Sequence, residues 1–455
     1  MSLELPSKTH FIGIGGAGMS AIAKVLLERG FDVSGSDLKT SRATTMLQAM
    51  GAEIVEGHDP ANVEGADRVV VSAAISPHNP EYRRAKDMGL PILTRGEALA
   101  SILYDTRSIV VAGTHGKTTT TSMVVTVLRK AGLDPTYLVG AGLNDVGTNA
   151  RSGSSDVVVA ESDESDGSFL LLAPFVAVIT NIELDHVDHW PNLDDLYAAF
   201  ARFIDQTSPG GAVVVPVDDD RILAGASHRR TITFGDGGDV SASNVTMDAI
   251  GMDFDLVTGS TSARVHMKVS GRHNLSNALA AAGAALALGI PVDEIASGLQ
   301  LYRGVERRFQ LRGSVGGITI IDDYAHHPTE VKATLAAARP GPWKRVVALF
   351  QPHRYSRTAA LATAFGRAFS DADRIVLMDV YGAGEEPVPG ISGKVLADYV
   401  AENLPGRPVA YFPHRAEVIG YLVASARPGD VVLTLGAGDV TTVGEELLAR
   451  LGDER

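Results

Sequence analysis

The chain has 455 residues, too many for one hydrophobic core and enough for about three domains. Its 40 basic and 54 acidic residues leave a net charge of −14 with no run of like charge, which disfavours nucleic-acid binding but allows a local anion site of backbone N–H groups and lysine. The absence of cysteine excludes disulfides, thiolate metal centres and a cysteine nucleophile. The opening MSLELPSKTHFIGIGG lacks the basic and apolar regions of a secretion signal, and no apolar stretch of about 18 residues free of charge and glycine occurs. A cytoplasmic protein that meets neither membrane nor nucleic acid is expected, as a monomer or weak homodimer.

In chain order, β-branched runs alternate with helical stretches: HFIGIGG, a helix over 19–29, FDVSGSD, a helix over 44–50, and DRVVVSAAI. This rhythm predicts a parallel sheet over 1–106. A second unit, 107–312, opens with SIVVAG and a helix through Val124, Val125, Leu128 and Ala131. It continues through strands near DVVVAE and FVAVITNIELDH, a helix around LDDLYAAFARFI, the strand GAVVVP and a β-rich stretch over 231–269. Tyr197, Phe200 and Phe203 read as core, and HNLSNALAAAGAALALG as a buried, alanine-rich helix. After RRFQLRGSVGG the rhythm restarts over 313–455 with ITIIDDY, RVVALFQPH, RIVLMDVY, PVAYFP and DVVLTLGAG. The expected fold is α/β in three domains: two Rossmann-like outer ones and a central P-loop ATPase domain, mostly parallel with a small β-rich part.

Gly113-Thr114-His115-Gly116-Lys117-Thr118 follows a strand and opens a helix, the context of a phosphate-binding loop. Lys117 would meet β and γ oxygens and the Thr118 hydroxyl would ligate Mg²⁺. Val111 stands where the full P-loop pattern has its first glycine. Gly13-Ile14-Gly15-Gly16-Ala17-Gly18, with Asp37 at the end of the next strand, predicts a pyrophosphate ligand, and a UDP-sugar fits as well as NAD. The run 161–166 after DVVVA places Glu161 to hold Mg²⁺, and His186 in NIELDHVDH serves a second Mg²⁺, the γ-phosphate region or only its own loop. Arg354 and Arg357 are spaced either to grip a carboxylate or to stand as a solvated pair. Asp322 or Asp323 would bond a ribose, and Arg308 would neutralise phosphate across a domain cleft.

Taken in order, GIGGAGMS, GTHGKTTTT, ESDESDGSF, NIELDHVDHW, GRHNLSNALAA, RRF, DDYAHHPTEV, QPHRYSRT and GAGD resemble the ADP-forming peptidoglycan ligases over nearly the whole chain. The resemblance implies three domains that bind a UDP-sugar, ATP and an amino acid in turn. It implies ATP contacts at Gly113, Thr114, His115, Gly116, Lys117, Thr118, Thr119, Asn277, Arg308 and one of Asp322 and Asp323. Metal contacts fall at Thr118, Glu161 and His186, UDP contacts at Gly15, Gly16, Ala17, Gly18, Asp37 and Ser72, and amino-acid contacts at His327, Arg354 and Arg357. Later ligases of the group carry a carbamylated lysine after the DH motif, and no lysine occurs here between Lys130 and Lys268. The resemblance therefore implies the alanine-adding step, with UDP-N-acetylmuramate, L-alanine, ATP and Mg²⁺ (or Mn²⁺) taken up and an acyl phosphate formed, and Lys117, Glu161, His186 and His327 as catalytic groups. Competing readings are a ligase that adds a preformed tripeptide, a folate polyglutamate ligase, a nicotinamide-dependent oxidoreductase and a nucleotide sensor without turnover.

Overall fold

The computed structural model describes residues 8–144, 147–186 and 189–453. Val187 and Asp188 of NIELDHVDH, like the opening segment 1–7, lie outside the described residues. Among these residues three sheets follow one another along the chain. The first takes β1 (Thr9–Ile12), β2 (Val33–Asp37), β3 (Glu53–Glu56), β4 (Arg68–Val71) and β5 (Ile92–Thr94) in the order β3-β2-β1-β4-β5, parallel throughout. The strand order reverses beside β1, where the glycine turn 13–18 leaves the sheet, and open α/β sheets bind ligands at such a point.

The central sheet holds β6 (Arg107–Ala112), β7 (Thr136–Leu138), β8 (Ala150–Arg151), β9 (Val157–Glu161), β10 (Val176–Ile179), β11 (Ala212–Pro216), β12 (Thr231–Phe234), β13 (Val240–Met247), β14 (Met252–Thr258) and β15 (Thr261–Met267). Its order is β15-β14-β13-β12-β11-β10-β6-β9-β7-β8. β6 lies between β10 and β9 and runs parallel to both, so the segments leaving all three strands meet at one edge. β13 to β15 form the antiparallel, β-rich part. The third sheet takes β16 (Gln310–Val315), β17 (Ile318–Asp323), β18 (Arg345–Phe350), β19 (Arg374–Leu377), β20 (Val409–Tyr411) and β21 (Asp430–Leu435) in the order β16-β17-β21-β18-β19-β20.

Two segments differ from the expectation. RRFQLRGSVGG supplies β16, an antiparallel edge strand, before the parallel rhythm resumes. FVAVITNIELDH is strand only over Val176–Ile179, because its later polar groups bond to the phosphate loop rather than to a neighbouring strand. Thr114 N donates to Asn181 O at 3.0 Å, and Glu183 N donates to Thr114 Oγ1 at 2.9 Å.

The valine and isoleucine side chains of β6, β9 and β10 are buried on both faces, as a sheet covered by helices requires. Helices Lys117–Lys130, Arg272–Ala287 and Val292–Leu299 cover one face. Helices Arg95–Leu103 and Leu193–Asp205 cover the other, where one apolar cluster continues into the first domain through Phe11 and Ile22. Phe200 and Phe203 are in that core, whereas Tyr197 is half-buried and donates its hydroxyl to Asp219 at 2.7 Å.

Small residues set how closely these helices approach. A Cβ on Gly283 would lie 2.7 Å from Val214 Cγ1, and one on Gly298 would lie 2.6 Å from Val127 Cα. Gly298→Ala gains about 1 kcal/mol of intrinsic helix preference. It is nevertheless expected to destabilise by about 1–3 kcal/mol, because the obstacle is backbone that cannot rotate away. A lowered urea midpoint of unfolding is the expected result.

Candidate active site

Gly113 has φ of +127°, and a side chain there would overlap Thr180 Oγ1, so only glycine lets β6 turn beneath the segment leaving β10. Gly116, at φ +81°, caps the helix Lys117–Lys130 and would collide with Asn277 if it carried a Cβ. The Lys117 ammonium donates to Gly113 O at 2.6 Å, Thr114 O at 3.2 Å and Glu164 Oε2 at 2.8 Å, with Asp163 Oδ1 at 3.6 Å. Burial opposes its charge, but the carboxylates of Glu164 and Asp163 outweigh burial and hold it protonated. Burial pushes the Glu164 carboxyl up to about 7 against the pull of Lys117. Asp163 is only partly buried; desolvation opposes its charge, yet Lys117 and His186 draw it below the usual carboxylate range.

Thr118 Oγ1 donates to Glu161 Oε1 at 3.0 Å, and Gly140 N donates to Glu161 Oε2 at 2.8 Å. Asp163, Glu164 and His186 bring ligand atoms within 4.8 Å of one another. Of these acids the sequence reading singled out Glu161 alone; nothing in an unbroken acidic run tells which carboxylates turn inward.

A cavity of about 760 Å³ lies between the central and third domains, bordered by Gly116, Thr119, Asn277, Arg308 and Asp323. Asn277 Oδ1 accepts from Thr120 Oγ1 at 3.3 Å, and the Arg308 guanidinium lies over the Tyr324 ring, 3.7 Å from Glu330. Asp323 accepts from Phe309 N at 2.7 Å and Ala325 N at 2.8 Å, and burial pushes its carboxyl up to about 6. Asp322 turns the other way, accepting from Thr434 at 2.6 Å and Thr441 at 2.7 Å inside the third domain.

The two domains are clasped by charge. His115 meets Glu183 at 2.9 Å through Nε2 and Glu330 of the third domain at 3.3 Å through Nδ1. Burial disfavours the imidazolium, but these carboxylates lift its pKa to about 9. Burial and the nearby His115 hold the His327 imidazole neutral. Its ring centroid is 4.8 Å from that of His115, and its buried Nε2 has no hydrogen-bond partner among the described residues.

Arg354 and Arg357 do not form one fork. Arg354 caps the helix Tyr355–Ala368 at φ +69° and lies 3.9 Å from Glu385, while Arg357 grips Asp185 of the central domain through two bonds, at 3.1 and 2.9 Å. His326, rather than His327, brings its ring 5.9 Å from that of His353. Glu330 was legible as the third position after the helix-capping His327, a capping-box pattern; Asp185 carried no such local signal.

In the first domain Gly15 N donates to Asp37 Oδ2 at 2.8 Å, so Asp37 braces the glycine turn, and Gly16 caps the helix Ala17–Glu28. Ser72 N donates to Ile12 O at 3.2 Å, which sets Ser72 beside Gly13. A cavity of about 340 Å³ runs from Gly18 past Arg95 to Glu161 and Asp163, so the glycine turn opens toward the phosphate loop. Arg95, which the sequence did not single out, bridges the domains to Asp166 at 3.4 Å and Ser168 at 3.2 Å.

The chain matches the family descriptions "Mur ligase family, catalytic domain" over residues 8–107, "Mur ligase middle domain" over 111–285 and "Mur ligase, glutamate ligase domain" over 307–438. Relatives called UDP-N-acetylmuramate–L-alanine ligase are 46% identical in Solibacter usitatus, over 99% of this chain and 96% of that protein. In Rubrobacter xylanophilus the identity is 48%, over 98% of this chain and 100% of that protein. The solved UDP-N-acetylmuramate–alanine ligase of Thermotoga maritima superposes with a TM-score of 0.84 at 29% identity, over 99% of this chain and 100% of that one. A murein peptide ligase from Psychrobacter arcticus shares the fold, with a TM-score of 0.72 at 24% identity over 98% of this chain and 99% of that one. With this likeness spanning the three sheets and every segment of the site, the chain belongs to the Mur ligase family.

Proposed function

We propose that this protein joins L-alanine to the lactyl carboxylate of UDP-N-acetylmuramate with ATP, giving UDP-N-acetylmuramoyl-L-alanine, ADP and phosphate for peptidoglycan synthesis in the cytoplasm. The observation that carries the reading is the 46–48% identity, over nearly all of the chain, to relatives of that name. The site supplies what the chemistry needs. A carboxylate attacking a triphosphate brings like charges together, so cations must be fixed in place beforehand. Lys117 and Arg308 are such cations, Lys117 at the start of the helix that follows the phosphate loop and Arg308 on the wall of the cavity between the domains. The glycine turn 13–18 takes the UDP diphosphate, and Asp323 rather than Asp322 faces the nucleotide.

The donors suit Mg²⁺: the Thr118 hydroxyl and Glu161 are hard oxygen ligands already in contact at 3.0 Å, and Asp163, which lines the same cavity as Glu161, clusters with Glu164 and His186. A bound Mg²⁺ would supply positive charge that offsets the repulsion between triphosphate and attacking carboxylate, and Mn²⁺ would suit the same ligands. The lactyl oxygen forms a bond to the γ-phosphorus as the bond to ADP breaks. The amine of alanine then attacks the acyl phosphate, an amide forms, and phosphate leaves with the lactyl oxygen. The amine proton goes to a phosphate oxygen or to the neutral His327, whose Nε2 is unpartnered.

The direct test is phosphate release from ATP, Mg²⁺ and UDP-N-acetylmuramate, alone and with L-alanine, glycine or the L-Ala-γ-D-Glu-meso-diaminopimelate tripeptide, with products weighed by mass spectrometry. Release that needs L-alanine and yields the alanyl product is expected; preference for the tripeptide would replace this reading with a recycling one. Lys117→Ala should cut turnover by at least about a hundred- to a thousandfold. Because one methyl group in a pocket is worth about 1–3 kcal/mol, glycine should be used about 10- to 200-fold less well than L-alanine.

The clasp between the domains has a pH window. His115, raised from 6.5 to about 9, contributes fully below pH 6.5 and loses its contribution as pH rises through about 9. Burial works against the Glu330 charge, but the His115 imidazolium and the Arg308 guanidinium hold its carboxyl well below 4.5, so its share persists above that pH and fades only in stronger acid. Urea midpoints should therefore fall from pH 7 to pH 10, and His115→Asn should flatten that fall.

A further inference from the structure

We propose that Asp185 is a positioning residue that couples docking of the third domain to the placement of His186. The inference rests on the ligase reading and adds to it a role for a residue between the domains.

The Asp185 carboxylate is fully committed. Its Oδ1 accepts from His186 N at 2.7 Å and from Arg357 Nε at 3.1 Å, and its Oδ2 accepts from Arg357 Nη2 at 2.9 Å. Both side chains are buried, at 8% and 7% exposure, and the pair spans 172 positions of chain. His186 sits at φ +51°, a left-handed conformation that a residue with a side chain keeps only when its surroundings hold it. The carboxylate that holds the backbone of His186 is thus held in turn by a third-domain arginine. Two residues earlier Glu183 accepts from Thr329 Oγ1 of the third domain at 2.7 Å, so the same loop grips that domain twice.

Were the third domain to swing away, Asp185 would keep one backbone donor and lose its arginine counter-ion. It would turn toward water and let His186 relax. His186 shares its 4.8 Å cluster with Asp163 and Glu164, the two acids around Lys117, so its placement reaches the phosphate site directly. In the docked state Arg357 is spent on this pair instead of standing ready for a carboxylate of the amino acid.

The test is a double-mutant cycle on the full chain with Asp185→Asn and Arg357→Lys, Asp185→Ser replacing the first should it fail to fold. Turnover is followed against Mg²⁺ concentration. Domain closure is followed separately, by energy transfer between dyes on Ser260→Cys and Glu402→Cys, both exposed, in a chain with no cysteine of its own. Each single variant should lose about tenfold or more in kcat, need about tenfold more Mg²⁺ for half-maximal rate and lose the nucleotide-dependent change in energy transfer. The double variant should be no worse than the poorer single variant within about threefold. Additive losses would overturn the coupling, as would an Arg357→Lys variant that raises only the KM for L-alanine with its Mg²⁺ requirement unchanged. If the parent chain makes no alanyl product, the ligase reading fails and the energy-transfer cycle alone decides whether the two residues act as one unit.

Discussion

A buried ammonium group has to be paired, and that requirement organises the phosphate site. Lys117 opens the helix after a loop that must accept anions, yet it reaches two backbone carbonyls and the carboxylates of Glu164 and Asp163. Those partners keep the cation charged and aimed while no phosphate is present. They also explain why an acidic run lies beside a loop that binds anions. The carboxylates neutralise the lysine before substrate arrives, and Glu164, pushed up to about 7 by burial, is the one of the two most readily made neutral when phosphate competes for the lysine.

The same economy of charge joins the domains. The chain leaving β10 sends His115's partner Glu183, and then Asp185, toward the third domain, which answers with Thr329, Glu330 and Arg357. On the opposite side Arg95 joins the first domain to the acidic loop after β9. Both joints lie on loops that follow β9 and β10, the neighbours of β6, so movement of either outer domain acts on groups next to the phosphate loop. An acyl phosphate hydrolyses if water reaches it, and such joints are a means of forming it only in a closed cleft.

What the sequence made legible was local. The βαβ rhythm and both glycine turns could be read because each is carried by a few adjacent residues, and the full-length order of motifs pointed to the family. Contacts between distant segments were not legible. Arg357 and Asp185 are 172 positions apart, and nothing near Arg357 says that a carboxylate from another domain will take it. Asp322 and Asp323 could not be told apart because neighbouring residues of a strand point to opposite faces, and which face looks onto the cavity is settled only when β17 pairs with β21. The loop around His186 did not by itself tell ligand from loop residue, and only the resemblance assigned it to the metal; its backbone bond to Asp185 left no local signal.

The central claim is that the lactyl carboxylate is activated as an acyl phosphate within this cleft. It is tested most directly by supplying UDP-N-acetylmuramate labelled with ¹⁸O in that carboxylate, with ATP, Mg²⁺ and L-alanine, and weighing the phosphate released. Transfer of one labelled oxygen to each phosphate is the predicted result. Phosphate that carries no label, alongside formation of the alanyl product, would contradict the account.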